Sequence, residues 1–254
     1  MAIRIGVFGA GGRMGATVCG AVTADPGLEL VAAIDPAHAG EMVEGVAIVA
    51  DPAEIAGEVD VAIDFTQIEA ARANLQWAAE HGVHAVVGTS GFDESDHERL
   101  RSAFTRSNCV IAPNFAIGAV LMIVLAERAA PFFETAEVVE MHHDAKRDAP
   151  SGTAMHTAER IAAASSDWAP DPTELMVADG ARGGVGAGGI HVHALRVRGM
   201  VASQEVIFGT EGQSLTIRHD TYDRSSFMPG VLLAAKAVAG KPGVTIGLDQ
   251  LLDL

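Results

Sequence analysis

Short apolar segments alternate with amphipathic segments through the first 115 residues of the 254-residue chain. Residues 68–81 and 94–106 repeat apolar side chains at helical spacing, and Gly82 ends the first of these two segments. Mainly apolar stretches of strand length, typical of buried parallel strands, occupy 3–8, 28–34, 59–65, 84–87 and 109–112. The alternation predicts an α/β fold with a doubly wound parallel sheet.

The pattern changes after a long apolar helix predicted at 117–132. Strand patterns then follow at 136–142, 191–198, 205–208 and 214–219 with few helices between them, which favours an α+β domain with a mostly antiparallel sheet. A last helix at 227–238 and an apolar tail at 244–254 have no partner in that sheet. We expect them to pack on the first domain, which makes the second domain an insertion.

The first predicted strand ends in a glycine-rich turn, Gly9-Ala10-Gly11-Gly12-Arg13-Met14-Gly15. Glycines at this junction permit a tight turn and let the backbone approach a pyrophosphate, whose charge meets the N-terminus of the next helix. Turns also collect glycine for conformational reasons alone. The context decides for dinucleotide binding, because Asp35 ends the second strand where an acid meets the adenosine ribose hydroxyls.

Polar side chains around this turn indicate which dinucleotide binds and where. Asp35 accepts from a 2′-hydroxyl and repels a 2′-phosphate, whereas Arg13 can pair with a 2′-phosphate or with the pyrophosphate. We therefore expect dual use of NADH and NADPH with some preference for NADH. Thr66, Thr89 and Asn114 each follow a predicted strand, at the edge of the sheet where ligands bind, and favour a nicotinamide-ribose rim over ordinary turn or cap roles.

Residues 140–154, EMHHDAKRDAPSGTA, concentrate reactive side chains between a predicted strand and a predicted helix. His142 and Lys146, one of only three lysines, are candidate proton donors. Ser151 suits the N-cap of a helix, and a helix N-terminus offers backbone N–H groups and a positive dipole end to a carboxylate or phosphate. Paired histidines also occur as surface or core residues, but the full segment predicts a substrate site for an anion.

Two further features do not indicate a specific function. The glycine-rich stretch 180–189 is expected to be a mobile loop rather than a helix or strand, and it either folds over a substrate or is a disordered crossover. His191 and His193 form a His-x-His pattern on one strand face. Metal ligation together with His142 or His143 is one interpretation, but such sites usually need a nearby third ligand such as a carboxylate or cysteine. We therefore expect sheet or subunit-contact residues there and predict no metal site.

Composition excludes several classes of partner. With 17 basic against 33 acidic residues the formal charge is −16, which argues against nucleic acid and anionic membranes. The longest apolar run, 116–126, is shorter than the roughly 20 residues that span a bilayer. The opening residues lack the pattern of a signal peptide, and Cys19 and Cys109 suit the core of a protein in the reducing cytoplasm.

The motifs together resemble the 4-hydroxy-tetrahydrodipicolinate reductase (dihydrodipicolinate reductase) family of the diaminopimelate route to lysine. The resemblance runs the full length of the chain and is carried by residues 9–15, 64–66, 88–92, 112–115 and, most specifically, 140–154. It implies a Rossmann-like cofactor domain formed by 1–114 and 223–254. It also implies an inserted substrate-binding and tetramerisation domain at 115–222, hinges near Asn114 and Tyr222, and a cytoplasmic homotetramer.

The resemblance also implies roles for single residues. His142 matches the family's proton donor or acceptor and Lys146 its proton donor. The family's substrate contacts match His143, Gly152 and Thr153. Ser151 is added to these predicted contacts because it lies at the start of the same helix. Cofactor contacts match Gly9, Ala10, Gly11, Gly12, Arg13, Met14 and Asp35 at the adenosine and pyrophosphate end, and Gly88, Thr89, Ser90, Ala112, Pro113, Asn114 and Phe115 at the nicotinamide end. Ser90 departs from the family's usual threonine but keeps the hydroxyl.

The implied reaction is an NAD(P)H-dependent reduction of a small cyclic, conjugated dicarboxylate, with hydride from the nicotinamide and a proton from His142 or Lys146. One alternative is a redox-sensing regulator that binds NADH without turnover, although no basic helix-turn-helix pattern is present. A second is another dehydrogenase with the same two-domain plan, since fold alone does not fix substrate. The predicted anion site limits that alternative to acidic substrates.

Overall fold

The computed structural model describes residues 1–55 and 57–252. It divides into two compact units, the first containing Met1–Ile117 and the segment from Arg224 onward, and the second containing Gly118–Asp223. The strands are β1 (Ile3–Phe8), β2 (Leu28–Ile34), β3 (Met42–Val43), β4 (Val46–Val49), β5 (Val61–Asp64), β6 (His84–Val87), β7 (Cys109–Ile111), β8 (Thr135–His142), β9 (Gly184–Val185), β10 (His191–Arg196), β11 (Ala202–Thr210), β12 (Gln213–Thr221) and β13 (Val244–Ile246). The α-helices are α1 (Arg13–Ala24), α2 (Ile68–His81), α3 (Glu94–Ala103), α4 (Ile117–Ala129), α5 (Gly152–Ala164) and α6 (Met228–Ala237).

The first unit is built on an eight-stranded sheet in the order β13-β7-β6-β5-β1-β2-β4-β3. Every pairing in it is parallel except that of β3 with β4. Its central strands are buried, with Ile5, Ile63 and Val86 at 0% exposure, as expected for a sheet covered on both faces. The strand order reverses between β1 and β5, and ligands of such sheets bind beside the carboxyl ends of the strands at that point.

The predicted α/β architecture of this unit is confirmed, and several elements have the predicted ends. The residues 28–34, 68–81 and 84–87 form β2, α2 and β6 without any shift. Gly82 ends α2 in the left-handed conformation at φ 69°, which glycine adopts without a steric penalty. Other elements are shorter than predicted: α3 ends at Ala103 rather than at residue 106, and β5 is shorter than the predicted 59–65.

The C-terminal segment returns to the first unit, as predicted. Its helix α6 lies within the predicted 227–238, and β13 in the apolar tail pairs in parallel with β7. Gly230 of α6 lies so close to the backbone that a Cβ there would be 2.1 Å from the carbonyl oxygen of Phe115. This glycine therefore permits the close approach of α6 to the chain that follows β7.

The second unit contains a five-stranded sheet in the order β12-β11-β8-β10-β9. The pairs β12 with β11, β11 with β8, and β10 with β9 are antiparallel, but β8 and β10 run parallel. The predicted mostly antiparallel sheet is thus only partly correct. The parallel pair has a topological cause, because the chain leaves the end of β8, passes through α5 and returns to begin β10 in the same direction.

The core of the second unit lies between this sheet and its helices. The side chains of Val138, Val206 and Phe208 are fully buried there, together with Ala158 and Ile161 of α5. The glycine-rich stretch 180–189 differs from the predicted loop, because it contains β9 and a short 3-10 helix, Ala187–Gly189. Pairing with the edge of β10 orders β9. Within the described residues, no helix combines the length and apolarity needed to cross a membrane.

Candidate active site

The glycine-rich turn joins β1 to α1 at the switch point of the first sheet. Gly9 has φ 75°, and the N–H of Gly12 donates to the Gly9 carbonyl over 3.0 Å. A Cβ at Gly15 would lie 2.0 Å from the same carbonyl oxygen, so only glycine lets the helix start this close to the turn. The predicted residues Gly9, Ala10, Gly11 and Gly12 therefore form one tight loop that leads into α1.

The start of α1 has the properties of an anion site. Gly12 is its N-cap and supplies no side-chain hydrogen bond, and the first turn contains no acidic residue. The N–H groups of the first turn have no acceptor within the helix itself, so a pyrophosphate would meet unpaired donors and the positive end of the dipole. Arg13 is exposed at the first helical position.

Asp35 directly follows β2 and lies against the glycine turn. Its Oδ2 accepts from the N–H of Gly11 over 3.1 Å, and its Oδ1 accepts from the N–H of Ala37 over 3.0 Å. His38 places Nδ1 3.0 Å from Oδ2, and its ring is so close to the turn that a Cβ at Gly11 would lie 2.2 Å from its Cγ. Sequence reasoning missed His38, which nothing in the local pattern distinguishes from a loop residue.

A buried carboxylate, Asp64, organises the other side of the switch point. It accepts from the hydroxyl and the N–H of Thr66 over 2.7 and 2.8 Å, and from Asn74 Nδ2 over 2.8 Å. Thr89 donates to Asp64 over 3.3 Å and to the Thr66 carbonyl over 2.9 Å. Asp64 thus fixes Thr66 and Thr89 at adjacent strand ends, where the sequence placed them.

The segments after β6 and β7 complete this edge. A Cβ at Gly88 would lie 1.9 Å from the ring of Phe65, which packs against Phe115 at a centroid distance of 5.6 Å. Asn114 Oδ1 accepts from the N–H of Ala116 over 2.9 Å, a cap-like contact. Ala112 and Phe115 are buried, whereas Ser90 and Pro113 are exposed. The glycine cradle, the open helix start and Asp35 together fit a dinucleotide.

The strongest chemical cluster of the second unit surrounds Glu140 of β8, which is fully buried. Its Oε2 accepts from His142 Nδ1 and from Arg196 Nη1, the latter over 2.9 Å. Its Oε1 accepts from Arg196 Nη2 over 3.0 Å and from the N–H of Ser151 over 3.1 Å. One carboxylate therefore joins the end of β8, the end of β10 and the start of α5.

The cluster shifts the pKa values of its members. Burial alone would raise the pKa of Glu140, but the hydrogen bonds from Arg196 and His142 hold that pKa below its ordinary value. Burial lowers the pKa of His142, and the positive charges of Lys146 and Arg196 lower it further against the opposing effect of Glu140. The imidazole of His142 is thus mainly neutral at pH 7.

The turn after β8 carries the remaining predicted side chains. Lys146 Nζ contacts both carboxylate oxygens of Asp148, at 2.9 and 2.8 Å. The N–H of Lys146 donates to the carbonyl of His143 over 3.2 Å, which closes the turn. Arg196 Nη2 donates to the carbonyl of Asp148 over 2.6 Å and so attaches this turn to β10.

Ser151 caps α5 as predicted: its hydroxyl accepts from the N–H of Ala154 over 3.2 Å. The first turn contains no acidic residue. The N–H groups of Gly152 and Thr153 precede the first intrahelical hydrogen bond, and a Cβ at Gly152 would meet no atom within 4 Å. The start of α5 is therefore an accessible pair of donors next to the Glu140 cluster.

His191 and His193 lie elsewhere in the second unit. His193 Nε2 is 2.6 Å from Glu137, and His191 Nε2 is 3.1 Å from Asp171. Arg182 pairs with both of these carboxylates, beside a cavity of about 720 Å³. The charges of this cluster satisfy one another, and no group of three or more possible metal ligands occurs among residues 1–55 and 57–252.

Sequence reasoning did not identify Glu140 and Arg196 as functional residues. Glu140 could have been found, because side chains two apart on a strand share a face and Glu140 precedes His142 by two. Arg196 carried no such signal. Its place follows from the parallel register of β10 with β8, in which Arg196 lies opposite His142.

Comparison with known proteins places this geometry in a family. The family model described as dihydrodipicolinate reductase, N-terminus, matches residues 3–115, and the one described as dihydrodipicolinate reductase, C-terminus, matches residues 118–252. The chain belongs to the dihydrodipicolinate reductase family. The resemblance drawn from residues 9–15, 64–66, 88–92, 112–115 and 140–154 is thereby confirmed.

Individual relatives agree with this family assignment over their whole length. The 4-hydroxy-tetrahydrodipicolinate reductase of Corynebacterium aurimucosum is 50% identical over 100% of both chains, and that of Cutibacterium acnes is 48% identical over 99% of both. A solved dipicolinate-bound dihydrodipicolinate reductase from Paenisporosarcina sp. TG-14 superposes with a TM-score of 0.89 at 34% identity, covering 98% of this chain and 99% of that one. An amine dehydrogenase from Mycobacterium smegmatis, at 17% identity and a TM-score of 0.67 over 98% and 96% of the chains, shares the fold.

Proposed function

We propose that this member of the dihydrodipicolinate reductase family catalyses the NAD(P)H-dependent reduction of 4-hydroxy-tetrahydrodipicolinate to tetrahydrodipicolinate in the diaminopimelate route to lysine. The observation that carries the proposal is the combination, in a chain that the two family models match over residues 3–115 and 118–252, of an imidazole and an ammonium group with an open helix start between β8 and α5. Each part of that combination has a defined task in the reaction.

The first unit is proposed to bind the cofactor. The pyrophosphate would meet the turn from Gly9 to Met14 and the start of α1, and Asp35 would accept from the adenosine ribose. The nicotinamide end would contact Gly88, Thr89 and Ser90 and residues 112–115. When bound, the nicotinamide supplies the hydride. Dual use with some preference for NADH follows from the acidic Asp35 together with the exposed Arg13.

The second unit is proposed to bind the substrate, a cyclic dicarboxylate. Gly152 and Thr153 offer backbone N–H groups to one carboxylate, with Ser151 holding the start of α5 in place. His143 adds a polar side chain from the turn after β8. The dipicolinate named with the Paenisporosarcina sp. TG-14 structure is a dicarboxylate of the same class, which supports this assignment.

The 4-hydroxyl of the substrate leaves as water, which gives a conjugated ring. Hydride addition to that ring leaves electron density on the substrate that a proton must neutralise. His142 and Lys146 are the proposed proton donors, and such a group contributes about 10²- to 10⁴-fold to the rate. Burial lowers the pKa of His142, which makes its imidazolium form a stronger acid than that of an ordinary histidine. Lys146, paired with Asp148 in the adjacent turn, is an ammonium donor. The two groups are therefore two candidate proton donors, one at the end of β8 and the other in the turn that follows it.

The proposal extends to the state of the protein in the cell, a cytoplasmic homotetramer. Two free, buried cysteines, Cys19 and Cys109, suit a reducing compartment. Exposed apolar side chains on the strands of the second unit, Leu195 and Leu215 among them, suit burial against further copies of the chain. Sedimentation of the purified protein would measure the number of copies.

A coupled assay tests the proposed reaction. The protein is incubated with aspartate semialdehyde, pyruvate, the condensing synthase and NADH, and absorbance of the reduced nicotinamide is followed. We expect oxidation of NADH that depends on both the synthase and this protein. No oxidation with either NADH or NADPH would overturn the proposal.

A further inference from the structure

We propose that Glu140 is the positioning residue of this site: it holds His142 as the Nδ1–H tautomer, which leaves Nε2 as the ring nitrogen that exchanges a proton with the substrate. The same carboxylate fixes the start of α5 through the N–H of Ser151, so that the imidazole and the carboxylate-binding amides keep one geometry. The inference rests on the proposed function, but its first measurement does not require any turnover.

The argument begins with the number of acceptor positions. An ionised carboxylate has about four lone-pair sites, and Glu140 receives four hydrogen bonds, two on each oxygen. Two of them form a bidentate pair with the Arg196 guanidinium, a geometry that favours the anionic form. At 0% exposure no water competes for these sites. Glu140 is therefore an anionic acceptor whose lone-pair sites are all occupied.

The tautomer of His142 follows from that saturation. An anionic carboxylate has no proton to donate, so a hydrogen bond between Glu140 and Nδ1 of His142 requires the proton to lie on Nδ1. In the neutral ring, Nε2 then carries the lone pair and acts as an acceptor; in the charged ring, Nε2–H acts as a donor. The charged groups that face the ring are Glu140, Lys146 and Arg196. In both protonation states, Nε2 of His142 is thus the nitrogen that can exchange a proton with the substrate.

The link to α5 gives Glu140 a second effect. Oε1 holds the N–H of Ser151, whose hydroxyl caps the helix at Ala154. Arg196, on the other side of the carboxylate, also binds the carbonyl of Asp148 in the connecting turn. A shift of Glu140 would therefore displace the imidazole and the donors of Gly152 and Thr153 together, rather than one without the other.

The chain offers a matched control on the same strand. Glu137 also accepts from a histidine and an arginine, His193 and Arg182, but lies on the opposite face of β8 because side chains alternate along a strand. Glu137→Gln makes the same chemical change as Glu140→Gln in a cluster of the same kind. Glu137 is partly exposed, whereas Glu140 is fully buried, so this control separates the position of the carboxylate from the general effect of removing a carboxylate that is paired with a histidine and an arginine.

The first experiment uses nitrogen-15 NMR of the histidine rings in the full-length protein without substrate. We expect the Nδ1–H tautomer for His142 in the wild type and in Glu137→Gln. In Glu140→Gln the amide can donate to Nδ1, so we expect the Nε2–H tautomer and a lower pKa for His142. An Nε2–H tautomer in the wild type would overturn the inference without touching the proposed reaction.

The second experiment compares steady-state kinetics. Glu140→Gln should lower kcat about 10²-fold or more and should shift the pH profile with the titration of His142. Glu140→Asp keeps an anionic acceptor and should recover part of kcat and the wild-type tautomer. Unchanged kcat in a Glu140→Gln protein with the switched tautomer would refute the positioning role. If Glu140→Gln does not fold, the wild-type spectrum and Glu140→Asp still decide the question.

Discussion

Asp35 reaches back to the glycine turn, where its Oδ2 accepts a hydrogen bond of 3.1 Å from the N–H of Gly11. The contact sets a carboxylate beside the proposed pyrophosphate loop, at the position where the ribose 2′-substituent of a dinucleotide is read. A negative charge there accepts from a hydroxyl and repels a phosphate. The discrimination between NADH and NADPH is thus expected to depend on the charge of this one side chain.

We predict that Asp35→Asn raises the affinity for NADPH relative to NADH by about tenfold, equivalent to about 1.4 kcal/mol. The amide keeps an oxygen for Gly11 but removes the repulsion of the 2′-phosphate. Fluorescence titration of both reduced cofactors measures the ratio. Asp51→Asn, which removes an equivalent charge from an exposed site of the same unit, should leave the ratio as in the wild type. An unchanged ratio in Asp35→Asn would assign the discrimination to another residue.

A second prediction concerns two glycines of α1. A Cβ at Gly15 would lie 2.0 Å from the carbonyl oxygen of Gly9, so Gly15→Ala must push the helix away from the turn. We expect a lower melting temperature and at least tenfold weaker NADH binding, because the donors at the helix start move. In Gly20→Ala the new methyl would be 3.6 Å from Glu44, an ordinary contact, and the helix should gain up to about 1 kcal/mol. Equal behaviour of the two variants in calorimetry and titration would contradict the close-approach argument.

The third prediction tests Lys146 as a proton donor. Lys146→Ala should lower kcat by about 10²-fold or more while the dissociation constant of NADH stays near the wild-type value. Lys146→Arg keeps the positive charge but cannot release a proton at neutral pH, so kcat should stay low in that variant too. Stopped-flow measurement of NADH binding, in parallel with steady-state kinetics, would separate cofactor binding from turnover. Lys236→Ala, which breaks an ion pair with Asp25 in the first unit, is the control for loss of a lysine. Wild-type turnover in Lys146→Ala would refute the assignment.

The sequence predicted those parts of the fold and site that carry their own local signal. The helix at 68–81 has apolar periodicity and a glycine at its C-terminal end. Ser151 is a residue type that favours the N-cap, and it lies directly before a helix. Arg196 and the parallel β8–β10 pair could not be predicted in the same way, because they depend on which strands become neighbours across some 50 residues of chain. Strand pairing is a property of the packed unit, and a strand's own pattern does not tell a parallel neighbour from an antiparallel one.

The fourth prediction uses a buried carboxylate of the first unit to test pH dependence. Arg72 binds Asp96 through two hydrogen bonds of 2.8 Å, and this pairing holds the pKa of Asp96 well below its usual range against the effect of burial. A carboxyl with a depressed folded-state pKa stabilises the protein above its unfolded pKa, near 3.9, and loses that stabilisation as pH falls through the folded value. Asp96→Asn should therefore lower the melting temperature by about 4 °C at pH 7.

The difference between wild type and Asp96→Asn should shrink below about pH 4, where the carboxyl of the unfolded wild-type chain begins to take up its proton while the folded one stays ionised. Calorimetry across pH 3 to 8 measures this convergence. Glu94→Gln removes a charge from the same helix, but its partner pair with Arg101 is exposed, so a change within about 0.5 kcal/mol is expected at every pH. A difference for Asp96→Asn that stayed constant down to pH 3 would show that the lost contacts are not ionic.

The last prediction tests whether the start of α5 binds a carboxylate of the substrate. A Cβ at Gly152 would meet no protein atom within 4 Å, so Gly152→Ala should fold with an unchanged melting temperature. The added methyl would instead stand where the backbone donors of Gly152 and Thr153 face a ligand. We expect the inhibition constant of pyridine-2,6-dicarboxylate to rise about tenfold, or about 1.4 kcal/mol, with no change in NADH affinity. Gly240→Ala, another glycine with open space around its Cβ, should bind the inhibitor normally. Wild-type inhibition of Gly152→Ala would place the dicarboxylate away from this helix.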